Sequence, residues 1–306
     1  MLEALELHEQ GTYRHYADVD ITAAPRLQYL NITSALQLTG ISATQSIRQF
    51  VLKEMRDRWT SWASSVASPS GILQLLSTSP KLELVDMNVR VGWMRLDRPP
   101  RQITSPSLKE VSLHVTQKVH TPEVDIGFIL DQLNLPALQI LSIDLYSGTS
   151  GGMPFSSIQS LVGRSHASLT SLSLIGQCTG LVMLEDDLID CILHLQDLKS
   201  FSLRCMPITN TFINALVPTH RSPGFDRIRV LCPLLDHLTF SASTFTEPRV
   251  INMILSRWKD TNHPLRSVHL LSCNLSPSDG AGLQSFGEGE VAKKMGLILE
   301  VDDRRA

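Results

Sequence analysis

The chain has 306 residues, enough for two ordinary domains or one elongated one, and its 42% apolar and 19% charged residues describe a folding, globular protein rather than a disordered one. A net charge of -3 with scattered Lys and Arg excludes a broad footprint for phosphate backbones, so no nucleic-acid partner is expected. No apolar run reaches the roughly 18 residues a membrane helix needs, and "MLEALELHEQ" lacks the basic and apolar regions of a signal peptide, so the expected setting is the cytoplasm or nucleus, with no membrane partner.

Along the chain one spacing recurs: an apolar residue, two free positions, a second apolar residue, one free position, a third. It occurs at Leu2/Leu5/Leu7, Leu27/Leu30/Ile32, Leu82/Val85/Met87, Leu108/Val111/Leu113 and Leu138/Leu141/Ile143. It continues at Leu169/Leu172/Leu174, Leu198/Phe201/Leu203, Leu235/Leu238/Phe240 and Leu265/Val268/Leu270. In a chain this apolar the spacing alone is common. The flank sharpens it: Pro25, Pro80, Pro106, Pro136 and Pro233 each stand two residues before the first apolar residue of a unit, and Pro264 stands one before Leu265. Proline ends a preceding helix and pushes its neighbour toward extended geometry, so each marks the entry to a short strand.

Between Leu27 and Leu82 the spacing opens to 55 residues, which reads as a missed repeat or an insertion over 36–75. Its centre, 46–65, has Phe50, Val51, Met55, Trp59 and Trp62 at spacings that predict one long amphipathic helix. Helical spacing also precedes the later strands, at 125–134, 155–163, 185–197 and 247–260. Thr121-Pro122-Glu123 and Thr246-Glu247-Pro248 read as helix starts. From Leu108 onward successive strand motifs begin 30, 31, 29, 37 and 30 residues apart, a period that points to a single α/β repeat array through residues 1–306.

Helix, turn and L-x-x-L-x-L strand at this period resemble the leucine-rich-repeat superfamily. The phrases "CPLLDHLTF" (232–240) and "VINMILSRWKDTNHPLRSVHLLSCNL" (250–275) further resemble the C-terminal repeats of F-box-like proteins of mushroom-forming fungi. The resemblance implies a solenoid, with a curved parallel sheet on the concave side and helices on the convex side. It also implies a substrate-binding role in a cullin-type ubiquitin ligase, docked through a Skp adaptor if an F-box lies upstream. No F-box precedes the repeats in this sequence, so a truncated product, or a variant that has lost the ligase connection, is expected. The family carries Asn or Cys at the ninth repeat position. Here that place holds Gln10, Ala35, Arg90, Thr116, Tyr146, Gln177, Met206, Ser243 and Cys273, so its side-chain ladder is expected to be degraded.

Strand alternation assigns the free positions between the second and third apolar residues, and just beyond, to the sheet face away from the helices. The candidate partner-binding residues are therefore Asp86, Asn88, Ser112, His114, Ser142, Asp144, Ser173, Ser202, Arg204, Thr239 and His269. They are small and polar, fitting either a protein-recognition face or a solvated sheet.

Catalytic signals are weak. Gly148-Thr149-Ser150-Gly151-Gly152 matches the nucleophile-elbow pattern, but Gly151, Gly152 and Pro154 favour a loop where the elbow needs a helix, so a hydrolase using Ser150 is the remote alternative. The acidic run Glu185, Asp186, Asp187 and Asp190 reads as helix-start capping rather than a cation site, and His166, His194 and His237 as turn or surface residues. Cys178, Cys191, Cys205, Cys232 and Cys273 form no C-x-x-C pair and are expected to be reduced. The reading is a non-enzymatic recognition module without cofactor or metal, with a scaffolding repeat protein as the alternative.

Overall fold

The computed structural model describes residues 2–8, 17–20, 24–33, 36–39, 45–53, 69–91, 102–117, 126–145, 153–176, 184–218, 231–260 and 264–302. The described residues fall in two compact units, one within 1–167 and the other within 168–302. Both are built from the same repeat.

In the first unit the elements run β1 (Ala4–His8), β2 (Ala17–Asp20), β3 (Tyr29–Thr33), β4 (Leu36–Thr39), β5 (Gln49–Leu52), α1 (Pro69–Thr78) and β6 (Leu84–Val91). They continue with β7 (Ile103–Thr104), β8 (Glu110–Gln117), α2 (Ile126–Asp131), β9 (Leu133–Asn134), β10 (Ile140–Leu145) and α3 (Phe155–Ser165). The strands β1, β3, β5, β6, β8 and β10 lie side by side in that order, every pairing parallel. Two short parallel pairs, β2 with β4 and β7 with β9, stand apart from that sheet.

The second unit continues with β11 (Ser171–Gly176), α4 (Glu185–Leu193), β12 (Ser200–Arg204), α5 (Asn210–Ala215), β13 (His237–Ser241) and α6 (Glu247–Asp260). It ends with β14 (Ser267–Leu271), α7 (Pro277–Glu288), α8 (Glu290–Met295) and β15 (Ile298–Asp302). Its five strands pair in parallel in chain order. Parallel neighbours need a crossover, and the helices supply it.

The helix expected over 46–65 is corrected at its start. Residues 49–52 form β5, and Ile47, Phe50 and Leu52 supply the three apolar positions of a complete repeat. Phe50 and Leu52 alternate with exposed Gln49 and half-buried Val51, a period of two that the longer aromatic stripe had masked. The rest of that predicted helix, 54–65, lies outside the described residues, as does Thr121-Pro122-Glu123. The missed-repeat reading of the 55-residue gap is the one the strand fits.

The core consists of the motif residues themselves. Leu27, Ile47, Leu82, Leu108 and Leu138 are fully buried in successive repeats of the first unit, as are Leu198 and Leu235 in the second. Burying each such side chain contributes about 1.5–3 kcal/mol. The recurring proline now has a geometric reason. The amide of Leu27 donates to the Ala24 carbonyl, Leu82 to Ser79, Leu138 to Leu135 and Leu235 to Cys232, at 3.0–3.2 Å. Pro25, Pro80, Pro136 and Pro233 thus occupy the second place of a four-residue turn, where a fixed φ near -65° is an advantage.

The exits from the strands repeat too. Cys205, Ala242 and Ser272 follow β12, β13 and β14 in left-handed conformations, with φ of 55°, 56° and 48°. Each donates its amide to the carbonyl of Ser241, Leu271 or Asp302 on the next strand. One residue on, the ninth position is less degraded than the sequence suggests: Ser243 Oγ donates to the Met206 carbonyl at 3.2 Å, and Cys273 Sγ lies 3.7 Å from the Phe240 carbonyl. Met206, the third of these, is simply buried.

Arginines close the helix side. Arg164 of α3 donates to the carbonyls of Leu130 and Leu133, at 2.9 and 3.1 Å from Nη2. Arg257 of α6, fully buried, donates to those of Leu216, Leu231 and Cys232. Helix starts in the second unit are also tied across repeats: Glu185 accepts from the Thr209 amide, Asn210 from Thr246, and Asp279 from Glu247.

Candidate functional site

Parallel register places the predicted residues in rows across the strands. In the first unit Glu6, Asn31, Val51, Asp86, Ser112 and Ser142 are successive partners. One step outward Asn88, His114 and Asp144 form a second row. In the second unit Ser173, Ser202, Thr239 and His269 are aligned, ending at Glu300, and Arg204 stands beside Ile175. Alternation decides the face: Leu141, Ile143 and Leu145 go to the core, which leaves Ser142 and Asp144 on the opposite side. All eleven predicted residues occupy that side of their strands.

Their environments differ between units. Ser173, Ser202, Thr239 and His269 are half-buried and Arg204 is exposed, and His269 Nδ1 lies 2.6 Å from Glu300 Oε2. In the first unit the side chains form a continuous ionic chain. Lys53 Nζ lies 2.7 Å from Asp86 Oδ2, Asp86 Oδ1 lies 3.0 Å from His114 Nε2, and His114 Nδ1 lies 3.5 Å from Asp144 Oδ2. The last separation is at the outer limit of a hydrogen bond.

The carboxylates of Asp144 and Asp86 on either side of the ring push the His114 pKa up to about 9, against the opposing pull of burial, so the imidazole is charged at neutral pH. Burial alone would raise the Asp86 carboxyl, but the hydrogen bonds and charges of His114 and Lys53 outweigh it and hold the group below its ordinary value. Asp144 is only 2% exposed, and its Oδ1 is buried with no hydrogen-bond partner.

The sequence reading missed the row at the strand entrances. Tyr29, Gln49, Leu84, Glu110 and Ile140 are mutual register partners on the same face. Tyr29 and Leu84 are half-buried, and Ile140 is 37% exposed. The signal was present: these residues lie two places after the first apolar residue of each motif. Lys53 was missed because it was read as part of the helix over 46–65. Beside that row Glu83 accepts from Lys109 at 2.9 Å and from Arg48 at 3.2 Å.

The remaining candidates separate. Glu185 binds Thr209, Asp186, Asp187 and Asp190 face solvent, and no group of three His, Cys, Asp or Glu among the described residues is placed to hold a metal ion. His194 Nδ1 lies 2.9 Å from the Asp190 carbonyl, His237 Nδ1 lies 2.7 Å from Ser267 Oγ, and His166 ends α3 at φ 49°. Cys191, Cys232 and Cys273 are buried free thiols and Cys205 is an exposed one. Ser150 and Cys178 lie outside the described residues. No described helix is long and apolar enough to cross a membrane.

No family model matches the sequence, and no curated protein matches it. A solved structure that is similar is the crystal structure of an internalin (inlF) from Listeria monocytogenes. The similarity covers 92% of this chain and 76% of that one, at 14% identity and a TM-score of 0.45. What decides the fold is this chain's own repeat of turn, parallel strand, left-handed exit and helix. The fold is a leucine-rich repeat. In it the eleven predicted residues form rows rather than a pocket, a geometry suited to contact over an extended surface.

Proposed function

We propose that the protein is a non-catalytic recognition module that holds a protein target against the face of its sheet opposite the buried motif side chains. The observation that carries this reading is the first unit's face. There the entrance row, in which apolar Tyr29, Leu84 and Ile140 alternate with Gln49 and Glu110, runs beside the ionic chain Lys53, Asp86, His114 and Asp144. Apolar anchors bordered by fixed charges are what a protein interface needs, since the first supply burial and the second supply register. The phrases at 232–240 and 250–275 support a finer reading, in which the module is the substrate-binding part of an F-box-type ubiquitin ligase adaptor working in the cytoplasm or nucleus.

The test is co-purification of the tagged full chain and of Leu84→Arg from native cells. The proposal expects one or more proteins to be recovered with the first and lost with the second while folding is retained. Equal recovery from both would count against the face. Presence of Skp-type adaptor and cullin subunits in the first sample would support the ligase link, and their absence would leave a scaffolding repeat protein.

A further inference from the structure

Two acceptors on the sheet face of the first unit have nothing to accept. Oδ1 of Asn31 and Oδ1 of Asp144 are both buried without a hydrogen-bond partner. A polar atom in that position costs about 1–3 kcal/mol, more when charged, so buried acceptors are normally satisfied. Asp144 is the stronger case, being a carboxylate on a residue only 2% exposed. Its Oδ2 faces His114, whose other ring nitrogen is engaged by Asp86, which in turn holds Lys53. Among the described residues Lys53 is engaged by Asp86 and His114 by Asp86 and by Oδ2 of Asp144, and Oδ1 is left over.

Both orphans are acceptors, so their complement is a donor. Asn31 and Asp144 stand on β3 and β10, four strand spacings apart, or about 19 Å at ~4.8 Å per spacing. An extended segment of about six residues spans that distance. Between them in register lie half-buried Val51, Asp86 and Ser112, with half-buried Leu84 one row toward the strand entrances beside Val51.

We propose that the first unit's sheet face takes an extended segment of a protein partner that crosses the strands, places an arginine or lysine donor on Asp144 Oδ1, offers a second donor to Asn31 Oδ1, and packs an apolar side chain over Val51 and Leu84. The inference rests on the recognition reading above and adds the chemistry of the partner. An arginine fits best, because a guanidinium presents several N–H donors in a fixed fork and makes the stronger, charge-assisted bond.

The experiment is fluorescence anisotropy on the full chain at 0.15 M salt, an ionic strength that screens diffuse attraction, with labelled hexapeptides of alternating leucine and arginine, leucine and glutamine, or leucine and glutamate. The arginine peptide is expected to bind at least tenfold more tightly than the glutamine one, and the glutamate one not to bind. Asp144→Asn should cost at least tenfold. Asp131→Asn, which removes an equal charge from an exposed position at the end of α2, should leave affinity unchanged. Ser142→Arg places a cation beside Asp144 while keeping it and should abolish binding, which decides the matter if Asp144→Asn does not fold.

Equal loss in Asp144→Asn and Asp131→Asn would mean diffuse attraction and overturn the proposal. So would binding that survives Ser142→Arg, or no peptide binding at all, as expected if buried water satisfies Asp144. If the glutamine peptide binds as tightly as the arginine one and both are lost in Ser142→Arg, the cationic partner is refuted while the recognition face stands.

Discussion

Asp86 and His114, on neighbouring strands of the first unit, are joined by a 3.0 Å contact between a carboxylate oxygen and Nε2, and each keeps the other charged. The pair links protonation to stability with a definite sign. His114 titrates near 9 in the fold against 6.5 when exposed, so its contribution is complete below about 6.5 and is lost as pH rises through 9. Asp86 is lowered, so its contribution is present above about 4 and is lost as pH falls further. Urea unfolding should show highest stability between about pH 4 and 6.5 and a decline of about 1–2 kcal/mol toward pH 9.5, the half-exposed ring being discounted for solvent screening. In His114→Gln the alkaline decline should shrink.

Arg257 is a fully buried cation whose partners are carbonyls at the end of α5 and the entrance to β13, at 3.2, 2.9 and 2.6 Å. Burial draws its pKa down to about 10 and pushes the neighbouring Cys232 thiol up to about 12, so the guanidinium stays charged and the thiol inert at neutral pH. Arg257→Met keeps much of the volume and leaves three carbonyls without these donors. Denaturant unfolding should show a loss of about 3 kcal/mol, and Arg257→Lys, which keeps a charge but not the fork, a smaller one.

The left-handed exit at Ala242 predicts opposite effects from two small changes. Ala242→Gly removes the Cβ clash at φ 56° but adds unfolded-state entropy, for a net change within about 1 kcal/mol on the stabilising side. Ala242→Val adds a β-branched side chain where the backbone tolerates it least, and should lower stability by about 1–2 kcal/mol. Urea midpoints of the two variants check the sign.

A chain of aromatic rings runs through the second unit: Phe201 to Phe212 and Phe212 to Phe240 with centroids 6.0 Å apart, then Phe240 to Phe245 at 5.5 Å. Phe212 links α5 to two strands and is fully buried. Phe212→Ala should cost about 3–5 kcal/mol through the lost burial and the cavity left behind, and Phe212→Leu clearly less. Calorimetry of the two variants separates cavity formation from loss of ring contacts.

These residues show what was legible. Nine strand motifs in the sequence are nine parallel strands, because in every one after the first, three buried positions leave an apolar trace; in the first, Leu2 is exposed and Leu5 and Leu7 are half-buried. The two strands of the repeat array that escaped, apart from the short pairs β2 with β4 and β7 with β9, had reasons. Ile47/Phe50/Leu52 was overwritten by aromatic residues that extended a helical stripe, and β15 carries Gly296 where the first apolar residue belongs, with Leu299 and Val301 alone keeping the pattern. The rows of the candidate face were readable because register follows from the motif. The ionic chain was not: the contacts from Lys53 to Asp86 and from Asp86 to His114 run diagonally between rows, and strand spacing does not reveal which side chains reach across.

The proposed recognition face is the side of the sheet opposite the buried motif side chains. A benzophenone amino acid at Ser112, in the middle of that face, compared in native cells with the same group at Asp131 on α2, tests it most directly. On ultraviolet exposure the account predicts a discrete covalent adduct with another protein from position 112 and none from 131. Adducts from 131 alone would place the interface on the helices and contradict it.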